Sequence, residues 1–135
     1  MTHLTTAVLA LLCVYHLVIG ALSVGAPHLA ARFARGVYGF SLRLDAQSTS
    51  MLRALGLYAL FTGAVLGLTL WDVARWRPIL LCMAGLQLAR AVHRLRAEEV
   101  VVDGLGASPS RNRLNAGLLL AEAIILGLGF VSHGR

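Results

Sequence analysis

The sequence predicts an all-α integral membrane protein: a four-helix bundle with an interfacial helix on the cytoplasmic side between spans one and two. Three observations carry this. The 135-residue chain is 58% apolar and 13% charged, against about 45–50% and about 25% in soluble domains. Four apolar stretches approach the roughly 20 residues that cross a bilayer. The arginines gather mainly at the ends of those stretches and between them. The length suits one domain, so residues 1–135 read as a single transmembrane unit, and no internal repeat is visible.

The predicted spans are 4–24, 51–71, 78–92 and 114–131. The third is short, opens at Pro78 and runs into a charged end. Backbone amides in lipid must be satisfied within the segment itself, which requires helices. The first stretch has a long apolar run and no basic region before it. It therefore reads as a span rather than a cleaved signal peptide.

Arginine placement sets the orientation. The net charge is +6 and all 12 basic residues are arginine. Arg32, Arg35, Arg43, Arg53, Arg90, Arg94, Arg96, Arg111 and Arg113 fall on one side, whereas Arg75, Arg77 and Arg135 fall on the other. The positive-inside rule puts the richer side in the cytoplasm and both termini outside, as expected of a multi-pass cell-membrane protein. Trp71 and Trp76 flank the short outer turn, as interfacial aromatics do. The basic balance suits anionic lipid head groups better than nucleic acid, because the arginines are spaced among apolar segments.

Residues 27–44 read as a helix lying on the membrane surface. Pro27 opens it, and Leu29, Phe33, Val37, Phe40 and Leu44 recur on one stripe, with Arg32, Arg35 and Arg43 off it. In the 94–113 connection, Val100, Val101 and Val102 are β-branched and precede Asp103-Gly104, a turn dipeptide, so a short extended stretch is expected there. Ser108-Pro109-Ser110 reads as a loop, and Asn112 as the N-cap of the last helix.

Polar groups at membrane depth carry the functional information, since they are costly and face a bundle interior. Thr6, Cys13, His16 and Gly20 share a face of span one. Asn115, Glu122 and Gly129 repeat on span four. His16 lies about 18 Å, and Glu122 about 13–14 Å, from the outer ends of their spans at about 1.5 Å per residue. They are thus expected to pair near mid-membrane, as a proton-responsive couple, as a polar ligand site, or as an interhelical hydrogen bond that fixes packing. On span three, Met83, Gln87, Arg90 and Arg94 form a stripe descending to the cytoplasmic face, where Arg53 begins span two. Gln87, Arg90, Arg94 and Arg53 are candidate contacts for an anionic head group or a carboxylate, with snorkelling to the interface as the plainer alternative. Gly56, Gly63 and Gly67 are candidate helix-packing positions, Gly63 and Gly67 making a GxxxG. Tyr58, Thr62 and Thr69 add a mildly polar strip.

Cys13 and Cys82 both lie in apolar segments and read as small core residues. No zinc-protease, nucleophile-elbow or phosphate-loop motif is present, and no cysteine/histidine cluster at metal-ligand spacing. A bis-histidine haem needs imidazoles at one depth. His16 is central, His93 is near the cytoplasmic end, and His3, His28 and His133 are near the surface. No metal or cofactor is therefore expected.

Arg53-Ala54-Leu55-Gly56 opening span two, Asp103-Gly104 after an arginine-bearing third span, and Ala121-Glu122 within span four resemble the group of small four-helix bacterial membrane proteins that includes the DoxX-like families. The resemblance covers most of the chain and implies a four-helix membrane fold. Span one lacks the arginine and glycine pattern of DoxX itself, so no catalytic residue is carried over.

With no catalytic constellation, the expected function is non-enzymatic. It is an accessory or scaffold subunit of a membrane complex, or a small bundle that binds lipid or another hydrophobic ligand. Its expected partners are membrane lipids, with a membrane-protein partner or a second copy, and no nucleic acid. A proton-coupled transporter using Glu122 and His16 is the alternative. A membrane enzyme acting on a lipid or quinone, with Arg53 and Arg90 as anion holders and Cys13 or His16 as the reacting group, is the third reading.

Overall fold

In a computed structural model the chain is all-helical, and residues 3–132 are described. His133 and Arg135 lie outside the described residues. Six helices follow one another: α1 (His3–Gly25), α2 (Pro27–Tyr38), α3 (Ala46–Trp71), α4 (Val73–Arg96), α5 (Glu98–Leu105) and α6 (Pro109–Ser132). Three of them, α1, α3 and α6, are long and apolar enough to cross a membrane.

The third expected span, 78–92, differs. Helix α4 starts at Val73, not at Pro78, and its 24 residues reach Arg96. Asp72 explains the early start, because its side chain accepts a hydrogen bond from the Arg75 amide at 3.0 Å and caps the first turn. Pro78 is accommodated inside the helix. Arginines at both ends make α4 more polar than the other three long helices.

The long helices pack as two pairs, α1 with α3 and α4 with α6, and the pairs meet along α1–α6 and α3–α4. Glycine sets the first pairing. A Cβ on Gly20 would lie 2.8 Å from the Gly56 carbonyl oxygen, and one on Gly56 would lie 2.7 Å from Ser23 Cβ. Gly63 meets Leu17 at 2.8 Å in the same way. Small residues are what let backbones approach this closely. Gly67 differs from the other two, since a Cβ there would meet only Cys13 Sγ, at an ordinary 3.7 Å. The close contact is therefore carried by Gly20, Gly56 and Gly63, not by the Gly63/Gly67 GxxxG.

The apolar core combines Leu9, Leu12 and Cys13 of α1, Leu66 of α3, Leu80, Met83 and Ala84 of α4, and Leu126 of α6. It occupies the half of the molecule nearer the α3–α4 turn. At that turn Trp71 is 91% exposed, Arg75 stacks over Trp76 at 5.6 Å, and Arg77 lies 4.3 Å over Phe130 of α6.

The two connections at the opposite end are both helical. Helix α2 begins with Pro27 in its first turn and stops at Gly39, whose φ of 74° only glycine adopts readily. The Gly39 and Phe40 amides close the end onto the Arg35 and Ala34 carbonyls. The helix is therefore shorter than the expected 27–44. Its stripe also splits: Leu29, Val37 and Leu44 are exposed, whereas Phe33 and Phe40 turn to other aromatic rings.

The extended stretch expected at Val100–Val102 is instead part of α5. Glu98 and Glu99 suit the positive end of a helix. Helical geometry puts Val101 and Leu105 on one face toward α4, and this tertiary contact overrides the weak strand preference of three valines. Ser41 donates its amide to the Leu105 carbonyl at 2.7 Å, which ties the two connections together.

The last helix starts earlier than expected. Ser108 Oγ accepts from the Arg111 amide at 3.3 Å, so Ser108 is the cap and Asn112 lies inside the helix.

Candidate functional site

Between the apolar core and the arginine-rich end, the seam between the helix pairs opens into a cavity of about 220 Å³. Four helices line it. Helix α1 contributes Leu11, Leu12, Tyr15 and His16, and α2 contributes Val37 and Tyr38. Helix α4 contributes Gln87, Arg90 and Arg94, and α6 contributes Asn115, Leu118, Leu119 and Glu122. Two sets of residues that the sequence keeps apart, His16 with Glu122 and the Gln87–Arg90–Arg94 stripe, thus share one space.

Helical spacing explains the convergence. On α4, Gln87, Arg90 and Arg94 are three and four residues apart and so lie along one face. On α6, Asn115, Leu119 and Glu122 do the same. The facing surfaces of α4 and α6 bring the two rows together.

The expected direct pairing of His16 with Glu122 is not what forms. His16 Nδ1 donates to the Leu12 carbonyl of its own helix at 2.7 Å. Glu122 Oε2 accepts from Gln87 Nε2 at 2.5 Å, and Gln87 Oε1 accepts from Arg90 Nη1 at 2.9 Å. One nearly inaccessible amide therefore links a guanidinium to a carboxylate. A helix positions a residue four apart more readily than one on a distant helix, so the imidazole takes its own backbone carbonyl.

Arg94 is held differently. Its Nη1 donates to Asn112 Oδ1 at 3.1 Å, while Asn112 Nδ2 donates to the Arg94 carbonyl at 2.9 Å. Its guanidinium lies 5.1 Å over the Phe40 ring. Asn115 Nδ2 donates to the Tyr38 carbonyl at 3.3 Å, which pins the end of α2 over the cavity. Tyr38 stacks on Phe40 at 5.4 Å and meets Tyr15 edge-on at 6.2 Å, and Tyr15 meets His16 edge-on at 5.0 Å. Burial, with Tyr15 beside it, raises the Tyr38 phenol above its ordinary 10.0, so it stays protonated at neutral pH.

A second cavity of about 180 Å³ adjoins this one toward α5, lined by Arg90, His93, Arg94, Val101 and Leu105. Arg90 and Arg94 are common to both cavities.

Other sequence candidates lie elsewhere. Arg53 is exposed on α3 and lines neither cavity. Gly56, Gly63 and Gly67 lie at the α1–α3 contact described above. Thr6 faces outward, and Thr5 is the buried threonine. Thr62 and Thr69 hydroxyls bond back to the Tyr58 and Val65 carbonyls of their own helix. Cys13 is a buried core residue, as expected, and approaches the Gly63 carbonyl oxygen at 3.3 Å; Cys82 is not in the core but exposed, and both thiols are free. Among the described residues, no three of His, Cys, Asp and Glu gather in a way that would hold a metal ion.

Sequence reasoning missed Tyr15, Tyr38 and Asn112 as members of this region. Tyr15 precedes His16 and carried some signal. Tyr38 carried none, because only the Gly39 stop and the Asn115 bond place it over the cavity. Compared with family models, with curated proteins and with solved structures, the chain matches none.

Proposed function

We propose that the chain is a multi-pass membrane protein whose four long helices span the bilayer, and that it binds a small amphipathic ligand in the α1–α2–α4–α6 cavity. This is a non-enzymatic role, either as a binding bundle in its own right or as a ligand-holding subunit of a larger complex. The observation that carries it is the mixed lining: Leu11, Leu12, Leu118 and Leu119 together with Arg90, Arg94, Gln87, Asn115 and Glu122. Apolar pockets with a few convergent polar groups are the usual form of a ligand site. A polar centre that served only as packing glue would be expected to close on itself, without leaving space.

The arginine distribution supports an orientation with α2, α5 and the start of α6 at the cytoplasmic face and both termini outside. In that orientation α2 lies at the interface with the exposed Leu29 toward lipid.

The test is the lipid inventory of the purified protein. Protein extracted into nanodiscs is denatured and its bound small molecules are identified by mass spectrometry. A stoichiometric amphiphile is expected in the wild type and is depleted in Arg90→Gln. An inventory identical to the surrounding lipid in both would end the proposal.

A proton-coupled carrier is the second reading. It is favoured by the position of Glu122 in the cavity wall, linked through Gln87 to Arg90. Proteoliposome flux unaffected by Glu122→Gln would remove it.

A further inference from the structure

We infer that the ligand of this cavity is a single-tailed monoanion, a long-chain carboxylate held head-first on Arg94 with its tail leaving sideways between α1 and α6. The inference rests on the binding-site reading above and adds charge, size and direction to it.

Charge comes first. The cavity contains two guanidinium groups and one carboxylate. Glu122 is coupled to Arg90 through the Gln87 amide, with its oxygen toward the cation and its nitrogen toward the anion. That chain balances Arg90 internally. Arg94 has only neutral partners, Asn112 and the Phe40 ring. The Arg113–Glu98 ion pair lies outside the cavity. One positive charge is left over, and one negative charge on a ligand would neutralise it. A guanidinium holds a carboxylate through two parallel hydrogen bonds, and Arg94 has further N–H donors beyond the one used on Asn112.

Size comes second. At about 220 Å³ the cavity is below the roughly 300–1,000 Å³ of pockets that enclose whole drug-sized ligands. It accommodates a head group and a short length of chain. The rest must leave, and the lining shows where. Leu11 is 67% and Leu118 is 55% exposed although both line the cavity. They mark a lateral opening between α1 and α6, the loosely joined seam of the two helix pairs. One chain fits such a slot.

Direction comes third. Arg90 and Arg94 also form the wall of the second cavity, whose other lining includes His93 and the apolar face of α5. The head group thus sits where it is reached from the arginine-rich face while its tail stays among apolar side chains.

The experiment uses the full chain in nanodiscs of zwitterionic lipid and compares three single-tailed probes by native mass spectrometry. These are oleate, methyl oleate with the same tail and no charge, and oleoyl lysophosphatidate with a more highly charged head. Oleate is expected to bind one per chain, at least about tenfold more tightly than methyl oleate. Arg94→Gln is expected to remove that preference, and Arg53→Gln, which lies outside the cavity, to leave it intact. Because Arg94 also anchors Asn112, two further variants stand apart from folding. Leu118→Trp should block the lateral slot and weaken oleate binding. Glu122→Gln should raise the cavity charge and shift preference toward the lysophosphatidate. Equal binding of oleate and methyl oleate, tighter lysophosphatidate binding to the wild type, or unchanged preference in Glu122→Gln would each overturn the monoanion assignment while leaving an amphiphile site in place. Binding of none of the probes, together with no co-purified amphiphile, would overturn both.

Discussion

Asn112 and Arg94 lock α6 to α4 through a reciprocal pair of hydrogen bonds, side chain to side chain at 3.1 Å and side chain to backbone at 2.9 Å. The backbone half satisfies one of the last four carbonyls of α4, which have no partner within their own helix. Asn112 is wholly buried, so water cannot replace it. Asn112→Ala is expected to lower stability by about 1–3 kcal/mol, because it removes both bonds and orphans that carbonyl. Thermal unfolding in detergent micelles measures this. A midpoint equal to the wild type would mean the lock contributes nothing.

The glycine contacts make opposite expectations for neighbouring positions. At Gly56 an added methyl group meets Ser23 Cβ, fixed directly to its backbone, at 2.7 Å and the Gly20 backbone carbonyl oxygen at 3.0 Å, and neither can yield easily. Gly56→Ala is expected to cost about 1–3 kcal/mol as overpacking. Gly67→Ala meets only Cys13 Sγ at 3.7 Å and is expected to be neutral or slightly stabilising, since it lowers the freedom of the unfolded helix. Denaturation curves of the two variants, run side by side, decide it. Equal losses would show that the close approach is not where these distances place it.

Two exposed carboxylates give the pH dependence outside the spans. The Ser48 amide and hydroxyl hold Asp45 below its ordinary 3.8 in a capping box at the start of α3. Arg113 holds Glu98 below its ordinary 4.5. Both are depressed in the folded state, so the stability they contribute is present above those ordinary values and lost as pH falls through the lower folded ones. The molecule is therefore expected to lose stability below about pH 4. Asp45→Asn, which keeps an acceptor for the Ser48 amide, should flatten that acid limb. An unchanged limb would assign the loss to other groups.

The orientation has a direct readout. In a background with Cys13→Ala and Cys82→Ala, a single cysteine is introduced at Ala74 or at Ser110. Both positions are exposed, at opposite ends of the molecule. An impermeant maleimide is expected to label Ala74→Cys in intact cells and Ser110→Cys only after the cells are opened. The reverse pattern would invert the assigned topology.

The helical class, the bounds of α1 and the C-terminal ends of α3 and α6 were legible along the chain, whereas α3 and α6 each begin about five residues before their apolar runs, where side-chain caps set the start. Long apolar runs must satisfy their own amides, and that demand is local. The basis for an orientation was legible too, because it depends only on how arginines distribute between those runs. Most of what tertiary structure decided concerned partners. Asn112 has the chemistry of a cap, and its position beside α4 makes it a lock. Val100–Val102 has the composition of a strand, and contact with α4 makes it helix. His16 and Glu122 lie at similar depth, yet each finds a nearer partner, Leu12 for one and Gln87 for the other. Depth follows from counting residues, but which faces meet follows from how helices rotate and pack. That rotation is set by contacts such as Gly20 against Gly56, between residues 36 positions apart in sequence, and no local pattern encodes it.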